Sequence, residues 1–464
     1  IKYADITEKW DSSSENILGA FGIGGGNSAD TYNGGKATVN VYGGKVNCNG
    51  GNIGGGNAND TGNGGDASIY VTGGTLDCAS IGGGNSVSGK PGAVNSDDNP
   101  AGVTVTGGTV KTGTIGGGTN DNDDIGFATA DISGGTIQGQ FILANTDSSK
   151  KCTFNMTGGT INNSGLGSDK YARAQDNGGA VYLTDDNGEV TLAGGTIKSS
   201  HGISGGAIYL AGTNGKVSVG GTTIEDCYAE NGGAVYMTSG EFTLAGDSDK
   251  GGIIQDCKAS SDGKAIDGNG GAVYLEKGSV TASGGTIGVK DHPNKAVLGG
   301  GIYLASGTMD IAGGTVAYNS ASSNGGGAYL DGGTLIMTSG KLDSNTATAS
   351  GGGAYVSGGN FKLNGKDAAV SSNTAKNGAG IYLTGGTPQL LAGSLTANTA
   401  SENGGGIYID KQDVDFAPTG TVTVSKNTAV NGGGVYIGGT ESDRGGLSVD
   451  KNSTGSMQFM DNIA

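Results

Sequence analysis

The residues of this chain that could do acid, base or metal chemistry are few. It has two histidines, His201 and His292, and two arginines, Arg173 and Arg444. A histidine-based catalytic triad or a histidine-rich metal site therefore has almost no candidates. The zinc-type motifs Cys-x-x-Cys and His-Glu-x-x-His do not occur. The remaining chemistry would have to come from carboxylates, cysteines and tyrosines.

One set of polar segments invites comparison with glycan hydrolysis: Asn145-Thr146-Asp147, Asp185-Asp186 and His201-Gly202. These segments resemble the Asn-Thr-Asp, Asp-Asp and Gly-His-Gly segments of pectin-type hydrolases, but no glycine precedes His201 and no Arg-Ile-Lys segment follows. Inverting hydrolysis needs an acid and a base ~6.5–9.5 Å apart, and positions 147 and 185 are separated by more than one repeat. We therefore predict a chain that is not an enzyme. A glycan-binding or polysaccharide-degrading domain is the alternative.

Acidic residues alternate in the segment NDNDDIG, at Asp121, Asp123 and Asp124. Oxygen ligands at alternate positions suit calcium, although the spacing does not match an EF-hand loop. These residues are thus a weak calcium candidate, and the alternative is a solvated acidic loop. We predict no other cofactor.

The five cysteines are spaced in a way that permits pairing. Cys48 and Cys78 are separated by 30 residues, and so are Cys227 and Cys257. Residues one repeat apart on stacked turns lie within the ~4.4–6.8 Å Cα range of a disulfide. Each pair is therefore predicted to be either a disulfide or two stacked free thiols, and Cys152 to be unpaired.

The composition excludes several classes of protein. Glycine accounts for 100 of 464 residues, which disfavours helices, and it has no triplet period, which excludes collagen. The net charge is −17, so a basic face for nucleic acid is not expected. No apolar run reaches the ~18 residues of a membrane span. Because the chain begins with Ile1, we expect it to be a processed or excised piece of a longer protein.

Repeats organise the chain. The block NGGAVYL recurs with small variations in ten copies, and the intervals between their tyrosines run from 26 to 38 residues, most of them close to 27. We predict that these tyrosines form an external ladder, which either binds a ligand or only covers the sheet by ring stacking. The ten tyrosines are Tyr182, Tyr209, Tyr236, Tyr274, Tyr303, Tyr329, Tyr355, Tyr382, Tyr408 and Tyr436.

The first third of the chain carries a related unit, IGGGN, beginning at Ile23, Ile53 and Ile81. Short stretches alternate with period two, and glycine or asparagine marks the turns, which is typical of strands. A repeat of this length cannot bury a core alone, so repeats must stack. We predict an all-β fold, a right-handed single-stranded parallel β-helix of about 15 coils of about 27 residues. The expected segments are a lead-in (1–22), IGGGN-type coils (23–145) and GGAVYL-type coils (146–464).

Alternation within GGAVYL assigns the side chains to faces. The fourth and sixth places are aliphatic in every copy, as in Val181 and Leu183, and are predicted to point inward. The third and fifth places, a small residue and then tyrosine, are predicted to point outward. The tyrosines should therefore stand beside an exposed strip of alanine and glycine.

A column of asparagines follows each later GGAVYL block, in contexts such as LDSNTA. Asparagine tolerates the left-handed bend of a tight turn, and stacked amides can hydrogen-bond from coil to coil. We predict a structural ladder and call it the asparagine ladder. Its members are Asn319, Asn345, Asn373, Asn398, Asn427 and Asn462.

The pairing of GGAIYL-type blocks with an apolar-x-x-Asn-x-Ala block resembles the GGAI and FxxN repeats of chlamydial polymorphic outer-membrane proteins. It also resembles repetitive surface proteins of gut bacteria and, more loosely, autotransporter passenger domains. The resemblance implies an extracellular or bacterial cell-surface location and a role in adhesion, display or assembly. The implied partner is a host or neighbouring-cell surface protein or glycan. Unpaired strand edges at a terminal coil also predict end-to-end self-association.

Overall fold

The structure is a computed structural model of the 464-residue chain. It describes strand positions 4–6, 15–17 and 23–24, and then residues 35–48, 50–55, 57, 63–86, 90, 102–118, 125–164, 177–246, 251–439 and 445–464. Every regular element in the described residues is a β-strand, and the strands pair in parallel. They stack as a β-solenoid of about 13 turns, against the 15 coils predicted. The predicted all-β parallel solenoid is confirmed.

The described residues form two compact units. The first unit comprises residues 1–201 and 207–218, and the second comprises 202–206 and 219–464. These units are defined by contacts between residues. The boundary predicted between residues 145 and 146 separates two types of repeat, so it does not have to coincide with the boundary between the units.

Strands of the first unit fall into columns that recur once per coil. One column precedes the Gly-Gly corners: Ala4–Ile6, Ala37–Val41, Ala67–Val71, Val103–Val105, Thr129–Ile132, Thr153–Met156, Glu189–Leu192 and Lys216–Val219. A second column follows those corners: Glu15–Ile17, Lys45–Asn47, Thr75–Asp77, Thr109–Gly116, Thr136–Leu143, Thr160–Asn162 and Thr196–Lys198. The third column contains Ile23–Gly24, Ile53–Gly54, Ser80–Gly82, Val181–Leu183 and Ile208–Leu210.

The second unit has the same organisation with longer strands. Its tyrosine-bearing strands are Val235–Met237, Val273–Leu275, Ile302–Leu304, Ala328–Leu330, Ala354–Val356, Ile381–Leu383, Ile407–Asp410 and Val435–Gly438. The other strands of the main sheet in this unit are Thr223–Glu225, Glu241–Leu244, Ile253–Gln255, Ser279–Ala282, Thr286–Ile287, Thr308–Ala317, Thr334–Asp343, Asn360–Ser371, Gln389–Thr396, Thr421–Ser425 and Ser456–Met460.

A separate sheet of the second unit follows the asparagine ladder in sequence. Its strands are Tyr228–Ala229, Lys258–Ala259, Lys295–Leu298, Ser320–Asn324, Thr346–Ala347, Thr374–Asn377 and Thr399–Asn403. A two-stranded sheet, Asp413–Phe416 with Gly446–Val449, stands beside the last coils.

The IGGGN and GGAVYL repeats occupy one strand column. In the first unit Ile81 pairs with Ile115, Ile115 with Phe141, and Phe141 with Val181. The aliphatic residue of IGGGN is therefore equivalent to the residue before tyrosine in GGAVYL. In the GGAVYL repeat the next residue, which points outward, is tyrosine. In the IGGGN repeat it is glycine, and Gly82 pairs with Gly116 next to the paired Ile81 and Ile115.

The core is a set of aliphatic columns inside the coils. Val273 and Leu275 are fully buried, and so are their counterparts in the neighbouring tyrosine-bearing strands. The prediction that the fourth and sixth places face inward is therefore confirmed. A cluster of alanines forms a second part of the core in the second unit. Five of them come from NTA-type turns and one, Ala379, comes from the NGAGIYL block: Ala321, Ala347, Ala375, Ala379, Ala400 and Ala429. Burial of these columns is the main stabilising term of such a fold.

Glycine is required at the corners between strands. Gly74 has a φ of 71°, and a Cβ there would lie 2.4 Å from the carbonyl oxygen of Gly44 on the previous coil. Only a residue without a side chain accepts both the left-handed backbone and this close approach. The Gly-Gly pairs of the sequence are thus the points where one coil rests on the next.

Candidate functional site

The outward tyrosines of the second unit form one continuous column, which we call the tyrosine ladder. Each tyrosine is the middle residue of a three-residue core that also contains two inward aliphatic residues, as in Val273-Tyr274-Leu275. The strands pair in register, so each tyrosine lies directly beside the next. The ladder consists of Tyr236, Tyr274, Tyr303, Tyr329, Tyr355, Tyr382, Tyr408 and Tyr436.

Rings of the tyrosine ladder are stacked face to face. From Tyr236 to Tyr408 the centroids of neighbouring rings are 4.5–5.2 Å apart with interplanar angles of 5–20°. The last pair, Tyr408 and Tyr436, is tilted by 42°. Each ring face between the ends is therefore occupied by its neighbour. A partner approaching the side of the ladder meets ring edges and hydroxyl groups, not open ring faces.

The first unit carries a short version of the same arrangement. Tyr182 and Tyr209 are stacked at a centroid distance of 5.3 Å with an interplanar angle of 9°. The residue in the same place one coil earlier is Ile142, which pairs with Tyr182. The aromatic column of the first unit therefore begins at Tyr182, and earlier coils have no aromatic residue at this place.

Carboxylates lie at the side of the tyrosine ladder. The Tyr236 hydroxyl donates to Glu276 Oε2 at 3.0 Å, and the Tyr382 hydroxyl donates to Asp410 Oδ2 at 3.2 Å. In both pairs the acceptor belongs to the next coil and stands two residues after that coil's tyrosine. Sequence reasoning missed these carboxylates, although a tyrosine followed two residues later by an acid was a readable signal.

Burial and these negative charges change the acidity of the phenols. Partial burial raises the pKa of Tyr382, and the nearby charge of Asp410 raises it further. The pKa of Tyr303 is raised by burial and then by Asp331, and that of Tyr274 by burial and then by Glu276. These three tyrosines therefore keep their hydroxyl protons at neutral pH, so that their hydroxyls can donate hydrogen bonds.

The predicted external strip of small residues is wrong. Ala234 and Ala272 in the third place are fully buried, and the glycines at the same place in later coils are buried from Gly301 to Gly406. A Cβ at Gly327 would lie 2.9 Å from Nδ2 of Asn345, and one at Gly353 would lie 3.0 Å from Nδ2 of Asn373. The third place is small because it faces the buried asparagine ladder, not because it borders an exposed groove.

Amide groups of the asparagine ladder are joined from coil to coil. Asn345 donates through its backbone N and its Nδ2 to Oδ1 of Asn373, at 2.9 and 3.1 Å. The Nδ2 of Asn373 donates in turn to Oδ1 of Asn398 and to the carbonyl of Leu342. The same pattern runs from Asn319 to Asn462. Burying these amides therefore leaves their donors and acceptors paired.

The left-handed bend belongs to the residue before each asparagine, not to the asparagine itself. Tyr318, Ser344, Ser372 and Ala397 all have φ between 54° and 57°. This backbone conformation turns the following asparagine side chain into the interior. The predicted role of asparagine in the bend is thus wrong, and its structural role is carried by the side-chain amide.

All five cysteines are buried free thiols in the structure. Cys257 N bonds to Oδ1 of Asn294, so Cys257 holds the same inward place as the asparagines. Burial raises the pKa of Cys78 to about 12, and it raises the pKa of Cys257 as well. Of the two predicted states, the structure has the stacked free thiols.

The carboxylates of the hydrolase-like segments, Asp147, Asp185 and Asp186, stabilise the local backbone or form an ion pair. Asp185 is buried and accepts from the backbone N of Cys152 at 2.6 Å and from that of Asn187 at 3.0 Å. Asp186 accepts from Thr213 N at 2.9 Å. Asp147 accepts from Ser149 and from Lys90, and these contacts lower its pKa to about 2. Each carboxylate is thus engaged in backbone capping or an ion pair.

The calcium candidates Asp121, Asp123 and Asp124 lie outside the described residues, as do Arg173 and Arg444. Within the part of the chain that the structure describes, no group of three or more His, Cys, Asp or Glu side chains is placed to hold a metal ion. His292 Nδ1 lies 2.7 Å from Asp256 Oδ2 in an exposed pair.

Comparison with protein-family models, with curated proteins and with solved structures finds no match in any of the three. The structure shows the parallel β-solenoid repeat, whereas the resemblance to chlamydial and autotransporter repeats remains a prediction. Among the described residues, no helix has the length and apolar character needed to cross a membrane.

Proposed function

We propose that this chain is a non-catalytic β-solenoid that acts at a bacterial cell surface, in adhesion, display or assembly. In this proposal the tyrosine ladder meets the partner, which is a surface protein or glycan of a host or neighbouring cell. The location and the class of partner come from the resemblance of the repeats to bacterial surface proteins. The choice of the ladder as the contact face comes from the geometry.

One observation carries the proposal. The strand column that bears the tyrosine ladder in the second unit is built in the first unit with Gly82 and Gly116 at the outward place. The column therefore forms without tyrosine, and the aromatic residues are an addition that the strands do not require. Aromatic side chains on a surface supply large contact area together with a polar hydroxyl, which is why interfaces are enriched in them.

Rigidity of the scaffold supports the same proposal. Each tyrosine-bearing strand between the ends of the ladder is paired on both sides, and the asparagine ladder ties the coils together inside. A partner that binds such a surface does not have to order it first, so less free energy is lost on binding.

The test is a retention assay with the purified chain on a glycan array and on bacterial and epithelial cells, read for both binding and glycan cleavage. The variant carries Tyr329→Ala and Tyr355→Ala. Its matched control carries Ile336→Ala and Lys362→Ala, which alter half-buried outward residues of the strands Thr334–Asp343 and Asn360–Ser371. These strands belong to the same two coils but lie on another face.

We expect the wild type and the control to be retained and the tyrosine variant to lose retention. Equal retention of both variants would overturn the ladder as the contact face, and cleavage of a glycan would overturn the non-catalytic assignment. Thermal melting of each variant checks that the coils are intact. Sedimentation of the wild type in the same samples tests the predicted end-to-end association.

A further inference from the structure

A row of mostly polar residues runs parallel to the tyrosine ladder in the second unit: two residues after the tyrosine, six of the eight coils carry a polar residue and the other two carry Ala305 and Gly438. Three of its members are acids, Glu276, Asp331 and Asp410, which we call the flanking carboxylates. Glu276 and Asp410 each accept a ladder hydroxyl, and Asp331 accepts from Ser357 Oγ at 3.2 Å. Each hydrogen bond fixes one carboxylate against the sheet. The side chains of Glu276 and Asp410 are half-buried, and that of Asp331 is exposed.

Among the described residues, no ion pair joins a lysine to Glu276, Asp331 or Asp410. The ion pairs of this unit use other acids, as in Lys376 with Glu402. A line of negative charge beside an aromatic row is complementary to a cationic partner.

The spacing of the flanking carboxylates follows the coils. Glu276 and Asp331 are two coils apart, and Asp331 and Asp410 are three coils apart. At the ~4.8 Å spacing of paired strands these separations are ~10 and ~14 Å. Hydroxyls of Ser357 and Thr384 occupy the same row between Asp331 and Asp410. The row therefore offers a carboxylate or a hydroxyl on most coils.

We propose that this face binds an extended cationic amino-sugar polysaccharide that runs along the tyrosine ladder. The inference rests on the proposed function, because it names the chemistry of the partner for the same surface. Protonated amines of the polymer meet the flanking carboxylates, and its hydroxyls meet the hydroxyls of tyrosine, serine and threonine. A polymer of one repeating sugar has an amine near every coil, so it matches an irregular row of acids in many registers.

A polysaccharide fits this face better than a basic peptide does. Extended peptides commonly bind by adding a strand to a free sheet edge. The strands Ile302–Leu304, Ala328–Leu330 and Ala354–Val356 each pair with a neighbour on both sides, so they offer no free edge here. A peptide would have only side-chain contacts, whereas a sugar chain presents hydroxyls and amines along its whole length.

The test measures binding of the full chain to two probes, the β-1,4-linked glucosamine hexamer and its fully N-acetylated form, by calorimetry at a pH where the free amine is protonated. We expect the wild type to bind the glucosamine hexamer about tenfold more tightly, because exposed charge pairs contribute modestly and their effects combine. The triple variant Glu276→Gln, Asp331→Asn, Asp410→Asn should lose this preference.

A matched control removes three acids elsewhere in the second unit: Asp310→Asn, Asp343→Asn, Asp415→Asn. These acids also accept hydroxyls, from Thr338, Ser371 and Ser448. The control should keep the tenfold preference. Equal loss in both triple variants would attribute the preference to net charge alone and overturn the inference, as would tighter binding of a lysine hexapeptide than of the glucosamine hexamer.

Failure of the inference can be told apart from failure of the proposed function. If both hexamers bind equally and binding is lost in the Tyr329→Ala, Tyr355→Ala variant, the ladder remains the contact face and the cationic partner is wrong. If neither hexamer binds and the retention assay is also negative, both proposals are overturned.

Discussion

The two units build equivalent strand columns in different ways. In the first unit the outward place holds Gly54, Gly82 and Gly116 before the aromatic residues begin, whereas in the second unit it holds eight consecutive tyrosines. The buried polar places differ as well. Cys78 and Thr112 stand two residues after the aliphatic residues Leu76 and Val110, whereas Asn345 and Asn373 stand three residues after Leu342 and Val370. Parallel pairing of the strands therefore does not depend on either ladder.

Strand register, and not coil length, accounts for the stacking in the ladders. Tyr236 and Tyr274 are 38 residues apart in sequence, and their rings stack at 4.8 Å. Tyr303 and Tyr329 are 26 residues apart, and their rings stack at 5.2 Å. In both pairs the tyrosines are register partners on parallel strands. The comparison teaches that strands paired in register permit ladders inside and outside, and that the two ladders have separate tasks.

The largest expected effect comes from breaking the asparagine ladder. Asn373→Ala removes four hydrogen bonds and leaves the backbone N of Asn345 and the carbonyl of Leu342 buried without partners. At about 1–3 kcal/mol for each of these two buried unpaired groups, the free energy of unfolding should fall by about 2–6 kcal/mol. Urea unfolding followed by circular dichroism measures it.

A buried polar residue of the first unit should be much less sensitive. The Thr112 hydroxyl donates to the carbonyls of Ala79 and Thr114, at 3.4 and 3.2 Å, and also contacts the Cys78 thiol, so Thr112→Ala should cost about 1 kcal/mol. Equal losses for Asn373→Ala and Thr112→Ala would contradict a special role for the asparagine ladder.

Glycine at the outward place of the first unit should be required in some coils and replaceable by alanine in others. A Cβ at Gly54 would lie 2.7 Å from the carbonyl oxygen of Gly82, whereas one at Gly82 would lie 3.4 Å from that of Gly116. Gly54→Ala should therefore destabilise the chain by about 2 kcal/mol, through overpacking against backbone. Gly82→Ala should stay within about 0.5 kcal/mol. Thermal unfolding of this matched pair distinguishes a steric requirement from a chance absence of tyrosine.

Replacing the left-handed residue before an asparagine should have a smaller effect on the free energy of unfolding. Ser372 has a φ of 55°, which costs a residue with a side chain more than it costs glycine. Ser372→Gly should raise the free energy of unfolding by up to about 1 kcal/mol. A decrease in the melting temperature would mean that the Ser372 side chain contributes more than its backbone strain costs.

Titration with base should reveal the ladder tyrosines whose pKa is raised. Burial is the main cause that raises the pKa values of Tyr274, Tyr303, Tyr355, Tyr382 and Tyr408, and nearby charges add to it, whereas a hydrogen bond with Thr384 partly offsets the rise for Tyr355. Because the folded pKa is higher than the unfolded value of about 10, the resulting stability is complete below pH ~10 and is lost as the pH rises through the folded values.

The ultraviolet absorbance of the phenolate should therefore show that these five tyrosines ionise above pH ~10, together with the loss of circular dichroism. A single step centred near pH 10 would contradict the burial of the ladder.

Much of the fold follows from alternation and spacing. Val273 and Leu275 were predicted inside because apolar residues recur at alternate places in every copy. The third place was predicted outside by extending that alternation backward, and Gly327 and Gly353 contradict it. The strand around tyrosine is short and the chain bends at the preceding glycine, as at Gly325 with its φ of 69°, so alternation does not extend past the bend.

Less of the candidate site was predictable. The ten tyrosines could be assigned to one column from their spacing, but the side-by-side stacking of their rings depends on register, which spacing alone does not give. The acid two residues after a tyrosine could be read from the sequence, but its hydrogen bond could not. Tyr236 and Tyr382 each bond to an acid of the following coil, 40 and 28 residues later in sequence, and such a contact depends on how the coils stack.

The most direct test of the separate tasks is a paired measurement of cell-surface retention and unfolding free energy on two variants. One carries Tyr329→Ala and Tyr355→Ala, and the other carries Asn373→Ala. We predict that the tyrosine variant loses retention while it keeps its coils folded, and that the asparagine variant loses stability but is retained at temperatures where it is folded. Loss of stability without loss of retention in the tyrosine variant would contradict the account and make the tyrosine ladder a structural cover.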